Sequence, residues 1–195
     1  MKKVLISLLL ALGIGTANAS APGLYVDSSS SVKTTSGFGI PAISGELSYV
    51  LGTLMVGQAG TLTFSYLGSE AGHSDYFFGS TAGSFYNKSS TNSDISLSAA
   101  AGQLVFSFWD QTSNTSVANG DMVWTATLQN EFGLVRESDY SYLLLYNDYV
   151  NNGDKDFDDM VVRVVFAPVP EPGTYALFLA GLGLMGLIMR RRRSA

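Results

Sequence analysis

The 195-residue chain has no cysteine, one histidine and few charges, with Asp, Glu, Lys and Arg making up 14% of it. Without thiols no disulfide can form, so packing, with or without a bound metal, must hold the fold. One imidazole and no thiolate argue against a zinc site, which needs several N or S ligands. Only oxygen ligands are plentiful, and these suit hard cations such as calcium. Basic charge is scarce in the middle of the chain. Setting aside Lys2, Lys3, Arg190–Arg193 and Glu171 leaves 15 acidic and 5 basic residues, a net charge of -10. Such a domain lacks the basic patch that nucleic acid requires. Also missing between residues 20 and 168 is any apolar period of 3.6 sustained over three turns, which argues against a helical domain.

The two ends are different. Met1-Lys2-Lys3 is a basic n-region, Val4 to about Gly15 is apolar, and Ala17-Asn18-Ala19 is an A-x-A cleavage triplet. Residues 1–19 thus read as a signal peptide, with Ser20 the first mature residue. At the other end Val169-Pro170-Glu171-Pro172-Gly173 precedes an uncharged run, Thr174 to Met189, that stops at Arg190-Arg191-Arg192-Arg193. About 16 helical residues just reach the lower end of a bilayer core, and an Arg-rich flank stays on the cytoplasmic side. A transmembrane helix is expected there, with the domain on the periplasmic side.

Pro170, Glu171 and Pro172, one apolar helix and Arg190–Arg193 together resemble the PEP-CTERM sorting signal of exported bacterial proteins. The resemblance implies a membrane protease, an exosortase, that cuts near Pro170-Glu171-Pro172, and a transient membrane contact through the tail. The final location is then the cell surface or the extracellular space.

Between the ends, Gly, Ser, Thr and Asn punctuate short runs of Val, Leu, Phe and Tyr, the pattern of strands and turns. Strands are expected at Leu24–Val26, Asp75–Phe78, Ile95–Ser98, Gln103–Trp109, Met122–Leu128, Tyr140–Tyr146 and Met160–Phe166. Leu47–Val56 and Thr61–Leu67 read as a hairpin around Gln58-Ala59-Gly60. In Gln103–Trp109, alternation puts Leu104, Phe106 and Phe108 on one face. The expected fold is all-β, an antiparallel β-sandwich of jelly-roll type over residues 20–168. The sorting signal follows over 169–195.

The densest chemistry runs from Asn147 to Asp159. Asp154, Asp156 and Asp158 alternate, Asn152-Gly153 permits a sharp turn, and Asp148 stands upstream. Carboxylates this crowded repel one another, and calcium relieves that repulsion by taking six to eight oxygens. The metal candidates are Asp148, Asp154, Asp156 and Asp158, with Phe157 turned into the core and its flanking aspartates outward. The alternative is a solvated acidic turn that caps its own backbone. An EF-hand is excluded, because Asp159 stands where that loop needs glycine. Asn152-Gly153-Asp154-Lys155-Asp156-Phe157-Asp158-Asp159-Met160 also resembles the Gly-Gly-Asp-x-Asp-Phe-Asn-Asp-hydrophobic signature of an exported bacterial domain of unknown function. Tyr146-Asn147-Asp148 is similar to its upstream Phe-Glu-Asp, and the resemblance implies a binding or matrix role.

Catalytic candidates are thin. His73-Ser74-Asp75 are adjacent, but a triad is defined by convergence in space. The aromatics Tyr76, Phe77, Phe78, Phe85 and Tyr86 can serve as core or can stack on sugar rings. The composite expectation is a non-enzymatic protein of the cell surface or extracellular polysaccharide matrix. A polysaccharide hydrolase with paired carboxylates and a permanently tethered adhesin are the alternatives.

Overall fold

The computed structural model describes residues 22–27, 31–35, 39–41, 43, 45–89, 91–121, 131–148, 157–169 and 172–193, with side chains described over 177–192 in the last segment. The predicted signal peptide, the strand at Met122–Leu128, and Pro170, Glu171, Asp154 and Asp156 lie outside the described residues.

The strands are β1 (Leu24–Asp27), β2 (Lys33–Thr35), β3 (Leu47–Tyr49), β4 (Thr53–Val56), β5 (Gly60–Gly68), β6 (Asp75–Phe78) and β7 (Ser84–Tyr86). They continue as β8 (Ile95–Ala99), β9 (Gly102–Gln103), β10 (Ser107–Asp110), β11 (Thr115–Ala118), β12 (Glu131–Ser138), β13 (Ser141–Asn147) and β14 (Met160–Pro168). Among the described residues one helix, α1 (Pro172–Arg193), follows the strands. The all-β antiparallel class holds, but the described strands fall into four sheets where a two-sheet jelly roll was expected. Their orders are β12-β13-β14-β5-β8, β11-β10-β6-β7, β1-β4-β9 and β2-β3.

Alternation in the sequence decides what each sheet buries. In the four-stranded sheet Phe77, Phe85, Phe108 and Val117 are all completely buried, and they meet Phe64, Leu144, Tyr146 and Val162 of the five-stranded sheet in one core. Phe108 stacks on Tyr146 at 4.6 Å with the rings 5° apart, and Phe64 packs on Phe77 at 5.1 Å. The two larger sheets therefore face each other across this core. The opposite face of the five-stranded sheet is covered too. Leu143, Leu145, Val135 and Val161 pack there against Ile40, Ile43, Tyr49 and Phe157. This explains the unbroken apolar run Tyr142–Tyr146, whose strand is buried on both sides. Tyr49 lies so close that a Cβ added to Gly133 of β12 would come within 2.6 Å of its ring.

Three expectations are corrected. The run Leu47–Val56 is broken near Leu51-Gly52 into β3 and β4, which enter different sheets, and β4 pairs with β1 and β9. Since β5 pairs with β14 and β8, there is no β4–β5 hairpin. Gln103–Trp109 is divided into β9 and β10, yet Leu104, Phe106 and Phe108 share burial as alternation requires. Between them Asn119 takes over from the ladder. Its side-chain oxygen accepts from Leu54 N at 2.8 Å, and its amide donates to Leu54 O at 2.8 Å and Leu104 O at 2.6 Å.

The third correction concerns the expected transmembrane helix. Among the described residues no helix is long and apolar enough to cross a membrane. The uncharged run stops at Met189, and its 16 residues rise only about 24 Å against a hydrocarbon core of about 30 Å. Three glycines, Gly181, Gly183 and Gly186, also dilute its apolar surface.

Candidate functional site

Strand alternation also explains the chemistry at one end of the two facing sheets. Asp75 opens β6 and Asp110 closes β10, each on the same face as the core phenylalanine two positions away. The register sets Asp110 directly opposite Asp75. Both side chains are completely buried. Like charges opposed across a ladder are destabilising even in water, so this pair needs a proton, a partner or a cation. The five-stranded sheet brings two more acids to the cluster, Asp148 just after β13 and Asp159 just before β14, exposed by only 5% and 9%.

The half-buried His73 connects the two sheets. Its Nδ1 lies 2.9 Å from Asp110 Oδ2 and 3.5 Å from Asp148 Oδ2. Asp110 Oδ1 accepts from Thr112 N at 2.7 Å, and Asp159 Oδ2 accepts from Asp148 N at 2.7 Å. Asn87, from the end of β7, donates to Asp75 Oδ2 at 2.9 Å and accepts from Asp75 N at 3.1 Å. Asp75 Oδ1 is buried with no hydrogen-bond partner.

The electrostatics follow from these contacts. Burial pushes the Asp75 carboxyl up to about 9, and the negative charges of Asp148, Asp110 and Asp159 add to the shift. Burial would also raise Asp110, but hydrogen bonds from Ser113, His73 and Thr112 hold it below the usual carboxylate range. For His73 burial favours the neutral ring, and this is outweighed by its hydrogen bond to Asp110 and by the charge of Asp148, so its pKa is raised.

A pH dependence results. Asp75 and His73 both have folded pKa values above their unfolded ones, so their stabilising contributions are complete at low pH and fade as pH rises. For Asp75 that loss spans pH 3.8 to about 9; for His73 it begins near 6.5. Asp110 has the opposite sign and costs stability only as pH falls through the acid range. In chelator, the thermal midpoint should therefore fall between pH 5 and pH 9. Asp75→Asn should flatten that slope, and an unchanged slope in this variant would show that the cluster does not titrate as described.

The expected metal set is divided by the structure. Asp148 joins the cluster. Asp158 does not turn outward as anticipated but is 1% exposed, with its Oδ2 accepting from Gly39 N at 2.6 Å and its Oδ1 buried without a partner. The cause is local. Phe157 is buried against Tyr49 at 4.6 Å, as alternation predicted, but at a left-handed φ of 62°. A left-handed residue breaks strict strand alternation, so Asp158 follows Phe157 inward. Among the described residues no group of three or more His, Asp or Glu is arranged to hold a metal ion. Sequence reading missed Asp75, Asp110 and Asp159, whose proximity depends on pairing between distant strands. It had noticed His73 beside Asp75, but only as a weak triad candidate.

The comparisons with known proteins concern the other functional element, the tail. Residues 168–193 match the family model described as the PEP-CTERM protein-sorting motif. The chain thus carries the sorting signal that its terminal residues resembled, and this marks an exported protein targeted to an exosortase and the cell surface. No curated protein and no solved structure matches the chain. The motif's Pro172 opens α1, and Arg190–Arg192 near its end are exposed. Leu177, Phe178, Leu179, Leu184, Leu187 and Met189 are each more than half exposed.

Proposed function

We propose that this protein is exported, held at the membrane by its tail, released by an exosortase near Pro170-Glu171-Pro172, and deployed as a non-enzymatic component of the cell surface or polysaccharide matrix. The observation that carries the reading is the sorting motif over residues 168–193. The exposed leucines and phenylalanine of α1 support it, since a contiguous apolar surface of this kind is normally covered by a membrane or a partner. The arginines at the end of the tail add electrostatic attraction to anionic headgroups. Replacing Arg190–Arg193 with serine should therefore lower membrane retention of the precursor several-fold in fractionated cells. Unchanged retention and processing would contradict the role given to the arginines.

The non-enzymatic reading rests on the burial of the carboxylate cluster. Asp75 is held protonated, as a general acid is, but none of its surface is exposed to a substrate. Its surroundings favour a structural cation instead. We assign calcium to the end of the facing sheets, with Asp148 and the acids packed around it, Asp75, Asp110 and Asp159, supplying charge and oxygens. One buried carboxylate oxygen of the cluster without a hydrogen-bond partner, Asp75 Oδ1, supports the assignment.

A further inference from the structure

The aromatic stretch noted in the sequence separates into two populations. Phe77 and Phe85 are core, while Tyr76, Phe78 and Tyr86 lie on the outer face with Trp109 and are only partly buried. The register aligns Trp109 with Tyr76 and Tyr76 with Tyr86 across β10, β6 and β7. Tyr76 and Tyr86 are stacked at 4.6 Å and 15°, and Trp109 lies 5.3 Å from Tyr76. Tyr76 thus covers one face of Tyr86. Since β7 is an edge strand of its sheet, no further strand among the described residues pairs beyond Tyr86.

Beyond Tyr86 is a cavity of about 520 Å³, within the roughly 300–1,000 Å³ of small-ligand sites. Tyr86 lines it together with Ser84, Thr91, Asn92, Asp94 and Ser96. The wall is built in advance. Asn92 Nδ2 donates to Tyr86 O at 2.9 Å and Asn92 Oδ1 accepts from Tyr86 N at 3.2 Å, which clamps the loop to the strand. Ser89 N also donates to Tyr86 O, at 3.0 Å. The Tyr86 ring is therefore backed by Tyr76, which packs in turn on Trp109, and the Tyr86 backbone is held by Asn92.

We infer that this cavity binds one or more sugar units of an uncharged polysaccharide, with a pyranose ring packed on Tyr86. An aromatic ring beside several hydroxyls, one amide and one carboxylate matches a ligand with apolar C–H faces and many hydroxyls. The single charge is Asp94, which can accept from two neighbouring hydroxyls and repels an acidic sugar. The net charge of -10 over residues 20–168 acts in the same direction. The inference is independent of the calcium assignment and goes beyond the sorting signal, naming what the exported domain holds.

The test is affinity electrophoresis of the full chain in gels containing dextran, a soluble β-glucan, the neutral fraction of the producing cells' own extracellular polysaccharide, or polygalacturonate. Retardation is expected with at least one neutral polymer and not with polygalacturonate. Tyr86→Ala should raise the dissociation constant tenfold or more and Asp94→Asn several-fold, while Tyr86→Trp should retain binding. If Tyr86→Ala lowers the thermal midpoint, the exposed Asp94→Asn substitution carries the decision. No retardation by any neutral polymer, retardation equal in the Tyr86 and Asp94 variants, or preference for polygalacturonate would each overturn the inference. Self-association of the chain that is lost in Tyr86→Ala, without glycan binding, would identify the surface as a dimer contact instead.

Discussion

Calcium at a hundred times its dissociation constant is expected to raise the thermal midpoint by roughly 5–10 °C. A ligand that binds only the folded state stabilises it by about 2.7 kcal/mol at that concentration, and a domain of about 150 residues gains roughly 2–4 °C per kcal/mol. The physical source is the crowding of Asp75, Asp110, Asp148 and Asp159, which without a cation is relieved by the proton on Asp75. Calcium should displace that proton, so binding tightens as pH rises. Because Asn147 stands where an acid would add charge, the dissociation constant should fall in the range of extracellular modules, about 10⁻⁴ to 10⁻³ M. Asp148→Asn should abolish most of the calcium response and leave the calcium-free protein as stable or more so, because repulsion falls. Equal melts in calcium and chelator for the wild type would reduce the cluster to a proton-sharing network.

Asn119→Leu is expected to be more damaging than its conservative volume implies, costing upwards of about 3 kcal/mol. The side chain is 6% exposed and satisfies Leu54 N, Leu54 O and Leu104 O. An unpaired buried backbone group costs about 1–3 kcal/mol, and the leucine would leave Leu54 N and one side of two carbonyls unpaired. Leu54 O keeps its bond from Leu104 N at 3.0 Å, so the carbonyls lose less than the amide. A denaturation curve with an unchanged m-value and a lower midpoint is the expected result. A loss below about 1 kcal/mol would mean that water replaces the asparagine beside Leu54.

Much of the fold was legible because alternation is a local property. Asp75–Phe78 was read with its correct bounds, and Leu104, Phe106 and Phe108 were placed on one buried face although their segment is only partly strand. The same reasoning failed at Leu47–Val56, where an apolar run longer than one strand concealed a break and a change of sheet. It also missed β12, whose buried Glu131–Val135 half mixes an acid and a glycine with three apolar residues. The site was half legible. The sequence showed that Asp148 belongs to an acid-rich segment, but Asp75 and Asp110 meet only through the β6–β10 register, which no local pattern encodes. The left-handed backbone at Phe157, which turns Asp158 inward, breaks the period on which the outward reading of that aspartate depended. The tail needed no tertiary information, because its recognition elements are consecutive residues.

Export and sorting through the tail are tested most directly by the intact mass of the protein recovered from the cell surface. A mass lacking both Met1–Ala19 and the helix that runs through Thr174–Ala195 is expected, with the new C-terminus near Pro170-Glu171-Pro172. A surface protein whose mass still includes Thr174–Ala195 would contradict processing and mark the tail as a permanent anchor.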